Sequence, residues 1–142
     1  MAVDFGTTQW AETIQQEIQG DAEYRASAKG WGIGFNGNIL FSIEPGDGLS
    51  QPVHLHLELK DGQCLGARLL ADPNQVEVGF RLRGAWPVWK QVLGGELKPI
   101  LAISLRRIRL EGSLAVLMKY VPAAQALLRC FSSVETRLPD QA

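Results

Sequence analysis

Hydrophobic positions change their spacing several times along the chain, and each change marks a different kind of element. Between Thr8 and Gly20, Trp10, Ile14 and Ile18 recur at every fourth position among Gln and Glu. That is the period of a helix with one apolar stripe, with threonine available to cap its start and glycine to stop it. Asp21 can open a shorter helix that carries Tyr24 and Ala28 on one face and breaks at Gly30. From Ile39 the period drops to two. Ile39, Phe41 and Ile43 alternate; Val53, Leu55, Leu57 and Leu59 alternate with His54, His56, Glu58 and Lys60; Val76, Val78, Phe80 and Leu82 alternate with Glu77, Gly79 and Arg81. These read as antiparallel strands with one buried face.

Parity also bears on the turn after Leu59. A two-residue turn at Asp61-Gly62 would pair Leu57 with Gly66 and turn Leu65, Ala67 and Leu69 to the polar face. A three-residue loop from Lys60 to Gly62, with Gly62 left-handed in a bulge, pairs Leu57 with Leu65 and Leu55 with Ala67, and is the predicted solution. The next turn, Ala71-Asp72-Pro73-Asn74, is expected to set Leu69 opposite Val76. At least four strands then form a meander.

Past Leu82 the helical period returns. Trp86, Trp89, Val92 and Leu93 suit a short helix ended by Gly94-Gly95, and Pro99 can open another that carries Ile100, Leu101, Ile103 and Ser104. Arg107 to Leu110 alternates like a last strand. After Gly112, Leu114, Leu117, Met118 and Val121 run on into Ala124, Leu127, Leu128 and Phe131, a long apolar stripe with Pro122 as its expected kink. A one-sided sheet and so apolar a helix must cover each other, which predicts an α+β fold.

Composition narrows the choices. The 142 residues suit one domain spanning 1–142, with 46% hydrophobic and 20% charged residues, a globular balance. Fourteen basic residues against fifteen acidic ones leave a net charge of -1, so no overall attraction to nucleic acid is expected and any anionic contact must be local. Cys64 and Cys130 stand far apart, which argues against a thiolate metal site and predicts reduced thiols in a cytoplasmic protein. No secretory leader is visible, and the ending Pro139-Asp140-Gln141-Ala142 is not a peroxisomal address.

Three patterns hint at chemistry. Gly32-Ile33-Gly34-Phe35-Asn36-Gly37 satisfies a dinucleotide-binding fingerprint literally, but it follows a helix and precedes a strand, the reverse of the required order, so a turn around Asn36-Gly37 is expected. His54, His56 and Glu58 project from one strand face, the geometry of an acid/base or metal cluster, although alternation makes that face the solvated one. Arg106, Arg107 and Arg109, with Lys98, form the densest basic patch: a solvated strand edge, or a contact for a phosphate or lipid headgroup. The first helix carries Glu12 and Glu17 and no basic residue on its polar face, which argues against broad membrane binding there.

The order of short segments carries more than any one of them. Glu23 to Trp31, then Trp89, Gly94-Gly95, Pro99 and Ala102, then Arg107-Ile108-Arg109-Leu110-Glu111-Gly112 before a long apolar helix, resembles the sterol carrier protein type 2 family over roughly residues 8 to 137. The resemblance implies a mostly antiparallel five-stranded sheet covered by helices. Between them it implies a hydrophobic tunnel for sterols, fatty acyl chains or other lipids, with no cofactor, no metal and no covalent catalysis. Where the family commonly has glycine before the basic strand this chain has Arg106, and a left-handed backbone there would strain an arginine. The missing peroxisomal ending suggests a free-standing bacterial or archaeal member, a set that includes accessory proteins for hydrophobic biosynthetic intermediates.

The expected function is non-catalytic binding, with transfer as an extension, of a lipid-like, sterol-like or quinone-like molecule. Phe41, Leu57, Phe80, Trp89, Leu93, Leu101, Leu117, Met118 and Val121 are the expected lining, chosen for apolar size and inward parity, and Arg106 or Arg107 the expected headgroup contact. At about 0.8 kcal/mol per buried methylene, a 16-carbon chain gains roughly 12 kcal/mol gross, enough to outweigh ordering costs of several kcal/mol. The alternative is an accessory module with a filled core that supports a lipid-pathway enzyme. A transient membrane contact fits the first reading, and the oligomeric state, a dimer included, stays open.

Overall fold

A computed structural model describes residues 2–138. Its main sheet has five strands: β2 (Ile39–Glu44), β3 (Val53–Lys60), β4 (Gln63–Leu70), β5 (Phe80–Ala85) and β6 (Arg109–Glu111), in the spatial order β4-β3-β2-β5-β6. Helices α1 (Thr8–Gln19), α2 (Ala22–Ser27), α3 (Trp86–Leu93), α4 (Pro99–Ser104), α5 (Leu114–Met118) and α6 (Val121–Ser133) complete the fold, and two short strands, β1 (Val3–Asp4) and β7 (Thr136–Arg137), pair in parallel. This is the α+β class expected from the alternation. The ending from Pro139 onward lies outside the described residues.

Helix starts follow the capping chemistry. The Thr7 hydroxyl accepts from the Trp10 amide at 3.3 Å and the Asp21 carboxylate from the Tyr24 amide at 2.8 Å, each satisfying a first-turn donor. Asp21 also takes the Arg129 guanidinium of α6 at 2.8 Å, which holds its carboxyl below the usual carboxylate range. Pro122 does not kink one long helix. The chain breaks at Lys119–Tyr120 between α5 and α6, and the proline stands in the first turn of α6, where its missing N–H would have had no partner.

The sheet departs from the expected meander in one large way. β5 pairs with β2 in parallel, not with β4, so residues 71–79 carry the chain from one edge across two strands. Val76 and Val78 belong to this crossover and Leu69 stands opposite Leu55, not Val76. The Arg81 guanidinium, on the sheet face away from the helices, donates to the carbonyls of Pro73 at 2.7 Å and Val76 at 3.0 Å, which fixes the crossover over that face. Leu40, His56 and Leu70 on the same face are buried.

The β3–β4 turn takes the form that parity argued against, and then repairs it. Lys60 pairs with Gln63 around a two-residue turn in which Asp61 and Gly62 have φ of 51° and 82°, matching the twist of the strands. The register then shifts at a bulge beside Leu59, which leaves Leu65 exposed and pairs Leu57 with Ala67 and Leu55 with Leu69. The predicted pairs, Leu57 with Leu65 and Leu55 with Ala67, are therefore displaced by two, while Ala67 and Leu69 reach the apolar face as parity demands. The Cys64 amide beside the bulge donates to Gln19 Oε1 of α1 at 2.8 Å, so the disturbance leaves no orphan donor there.

Arg106 adopts the left-handed conformation, with φ of 59°. It follows α4 in a closing motif: its amide donates to the Ile103 carbonyl at 3.0 Å, and the Arg107 amide to the Ala102 carbonyl at 2.9 Å. Glycine is the usual occupant of such a position, because a Cβ crowds the following carbonyl oxygen. Arg106→Gly is expected to stabilise the protein by about 0.5–1 kcal/mol, the relieved strain being partly offset by the greater freedom of glycine in the unfolded chain. Urea denaturation checks this, an unchanged or lowered midpoint being the adverse result.

Candidate functional site

The helical face of the sheet is built from the inward positions of β2, β3 and β5. Ile39 and Phe41 face Leu57 and Leu55 on one side and Phe80 and Leu82 on the other. The helices do not close fully over this surface. A cavity remains whose floor is Ile39, Phe41, Leu59 and Leu82, whose walls come from Pro99, Ile100 and Ile103 of α4 and Ala123, Ala124, Leu127 and Leu128 of α6, and whose ends are shaped by Trp31, Trp89 and Tyr120.

Its wall is almost wholly carbon. The two indole N–H groups are already taken, Trp31 Nε1 donating to the Gly37 carbonyl at 2.7 Å and Trp89 Nε1 to the Ser42 carbonyl at 3.3 Å. The phenols of Tyr24 and Tyr120 are the remaining polar side-chain groups of the lining, and burial pushes the Tyr24 hydroxyl well above its ordinary value, so it stays neutral. No side chain of the lining carries a charge that could hold an ion. The lining can solvate hydrocarbon. The free space inside is about 60 Å³, and the depression reaches about 660 Å³ when the space open to solvent at its mouth is included. Ligand-sized pockets enclose about 300–1,000 Å³.

Of the nine positions chosen for the lining, the structure brings Phe41, Trp89 and Leu117 to this wall. Leu57 and Phe80 have the inward parity but lie in the packed core beside it, Phe80 under Trp31 with ring centroids 4.8 Å apart. Leu93 borders a different cleft of about 480 Å³, lined by Phe5, Trp10, Trp86, Lys90 and Glu96, whose mixed polarity suits it less to an oily ligand. Leu101 and Met118 point outward, each 48% exposed, because the short helices α4 and α5 offer the cavity their other sides. Val121 is half-buried and outside the lining. Arg106 and Arg107 are exposed beyond the end of α4 and do not line the cavity. Alanines 123 and 124 escaped the choice because it favoured bulk; yet small residues on α6 are what leave room.

The other two motifs resolve differently. The Gly32–Gly37 segment opens no helix: Gly32 and Gly34 have φ of 82° and 81°, and a Cβ on Gly37 would collide with the Trp31 indole. It is a turn, folded around a tryptophan. His54, His56 and Glu58 do share a face, but it is not the solvated one, since His56 is 4% exposed beneath the crossover side of the sheet. His54 Nδ1 lies 2.8 Å from the Ser42 hydroxyl, and among the described residues no group of three or more His, Cys, Asp or Glu is placed to hold a metal. Cys64 and Cys130 are free and buried, and burial pushes both thiols up to about 11.

A family profile described as the SCP-2 sterol transfer family matches residues 12–125. The chain belongs to that family. Among solved structures, this SCP-2 member is similar to a sterol carrier protein 2, at 27% identity over 92% of this chain and 99% of that one, with a TM-score of 0.79. It is also similar to a conserved hypothetical protein of Thermus thermophilus proposed as a sterol carrier protein, at 25% identity over 99% and 96% of the two chains, with a TM-score of 0.80. The apo sterol carrier protein 2 of Yarrowia lipolytica shares the fold, at 13% identity over 86% and 88% of the chains and a TM-score of 0.58. No curated protein sequence gives a significant match. No helix among the described residues is long and apolar enough to cross a membrane.

Two histidines, His56 buried and His54 half-buried, make acid stability a readout of this SCP-2 sheet. Burial holds both imidazoles below the ordinary value of 6.5, so the folded protein resists protons that the unfolded chain accepts. Stability is full above pH 6.5 and is lost as pH falls through the lower folded values. The urea midpoint should drop between about pH 7.5 and about pH 5, and His56→Leu should make that drop smaller, His54 retaining its own share. An undiminished drop in the variant would place the acid sensitivity elsewhere.

Proposed function

We propose that this single domain, spanning residues 1–142, binds a hydrophobic ligand without catalysis in the cavity between the sheet and helices α4 to α6. The observation that carries the reading is the lining, almost wholly hydrocarbon, uncharged, and with its indole donors already satisfied. Membership of the SCP-2 family supports it. No charge in the wall selects an ionic headgroup, so the ligand class is an acyl chain, sterol or isoprenoid tail whose polar end stays at the mouth. Delivery between membranes, inside the cytoplasm, is the task such a carrier performs.

With about 60 Å³ of free space, the cavity must widen to admit a chain. The sheet and α6 are poor candidates to move, since α6 buries five residues. Helix α4 anchors itself by one buried residue, Ala102, and α5 by one, Leu117. Short helices with so little buried surface open at small free-energy cost. Ligand entry therefore proceeds by α4 and α5 swinging outward.

The small free volume also favours a second reading, a filled core in a module that scaffolds a lipid-pathway enzyme. One experiment separates the two. Trp31 and Trp89 stand in the wall, so titration with palmitate or a long-chain alcohol should shift tryptophan emission saturably, with micromolar midpoints. Ala124→Trp, which fills the cavity from α6, should weaken uptake at least about ten-fold while the protein stays folded. A carrier-free emission spectrum unmoved by acyl chains, sterols and quinones alike, together with a clean apo mass in native mass spectrometry, would favour the filled core.

A further inference from the structure

The two short helices at the cavity wall are apolar on both sides. Ile100 and Ile103 of α4 and Leu117 of α5 face inward, while Leu101 of α4, Leu105 at its C-terminal cap, and Leu114 and Met118 of α5 are 48%, 53%, 46% and 48% exposed. A helix apolar all round is ordinarily a buried one, and four large exposed apolar side chains on or beside two short helices that wall the same cavity exceed the scattered exposure of an ordinary surface.

The charge around them says what covers them. From Lys98 to Lys119 the chain holds five basic residues, Lys98, Arg106, Arg107, Arg109 and Lys119, against one acidic residue, Glu111. The rest of the chain holds nine basic and fourteen acidic residues. All five cations are exposed, and among the described residues none of them forms an ion pair. Glu111, the one acid, is turned to Arg81 at 3.8 Å. Arg106 adds an independent sign: it occupies a left-handed position suited to glycine, so a charged side chain is kept there against backbone strain.

The geometry points to an anionic lipid bilayer as the partner of this surface, with Leu101, Leu105, Leu114 and Met118 entering the interfacial region and Lys98, Arg106, Arg107 and Lys119 meeting headgroup phosphates; Arg109, opposite Arg83 in the sheet, turns to the face away from the helices and takes no part. A second copy of the chain is disfavoured, because a self-complementary contact would set the cations against one another. Helix α1 cannot take this role, since its polar face carries Glu12 and Glu17 and no basic residue. Docking by α4 and α5 would also hold those helices where a ligand must pass. The docking surface itself is argued from exposure and charge and does not depend on the cavity being filled.

Flotation of the full chain with vesicles tests it. Vesicles containing one third phosphatidylglycerol should bind at least about ten-fold more protein than vesicles of phosphatidylcholine alone, and raising salt from about 0.1 M to about 0.5 M should weaken the binding. Leu105→Ser with Leu114→Ser should lower anionic-vesicle affinity about ten-fold, and Lys98→Gln with Lys119→Gln by about five-fold per charge removed. Both pairs should leave acyl-chain uptake in vesicle-free solution unchanged. Arg106→Gly should lose vesicle affinity while gaining thermal stability, a combination that a merely structural role would not produce. Equal binding to both vesicle types, no binding, or full binding by both paired variants would overturn the inference. So would self-association abolished by Leu105→Ser with Leu114→Ser in a protein that ignores vesicles, which would make the patch a contact between copies. Anionic-vesicle binding by an unmodified protein that takes up no acyl chain would count against the proposed cavity and not against this surface.

Discussion

A buried tryptophan with a polar edge sets the terms for the rest of the molecule. Trp31 is 4% exposed, and leaving its indole N–H without an acceptor would incur the desolvation penalty of a buried donor. The acceptor is the Gly37 carbonyl, only six residues along, so the chain has to double back on itself at once. Glycines with positive φ make that reversal possible, and one without a Cβ, Gly37, makes the close approach possible. With the ring so fixed, Phe35 and Tyr120 stand edge-on to it at 5.2 Å each and Phe80 lies under it. One hydrogen bond thus ties the start of β2, the start of β5 and the joint between α5 and α6 to a common point, and that point is an end wall of the cavity.

The same ring explains why a literal nucleotide fingerprint means nothing here. The glycines answer to the shape of an indole, not to a pyrophosphate. In the neighbouring hairpin, parity and turn chemistry pulled in opposite directions, and the chain satisfied both by placing a type of turn that Asp61-Gly62 prefers and then spending one extra residue, Leu65, to recover the register. Conflicts between local and non-local preference are resolved by irregularities such as this one, and the Gln19 side chain that meets the bulge shows the compensation built around it.

Local patterns were legible wherever a single period ran uninterrupted. The stripe of Trp10, Ile14 and Ile18, the alternation of Val53 to Lys60, and the glycine stop at Gly94 all reappear as elements. What alternation could not convey was neighbourhood. Val76 and Val78 alternate as well as any strand, yet they lie in the crossover, because pairing of β5 with β2 is decided by the long-range fit of Phe80 and Leu82 beside Ile39 and Phe41. His56 was read as solvated for the same reason: nothing in its own strand announces that residues from elsewhere will be tied down over that face by Arg81. The cavity was legible as an excess of apolar residues but not as a shape, since the alanines that create space resemble ordinary helix formers in sequence.

The pairing of β1 with β7 sets Val3 beside Thr136, with Arg137 and Asp4 joined at 2.7 Å across 133 positions of chain. Topologically the polypeptide is close to a ring fastened by a small clasp. In a ring, the point at which reading begins is arbitrary, provided the cut falls where no core contact is lost. Within the crossover between β4 and β5 the exposed residues Asn74 and Gln75 offer such a place, so a circularly permuted chain joined through the clasp and opened there would carry the same chamber in a different order.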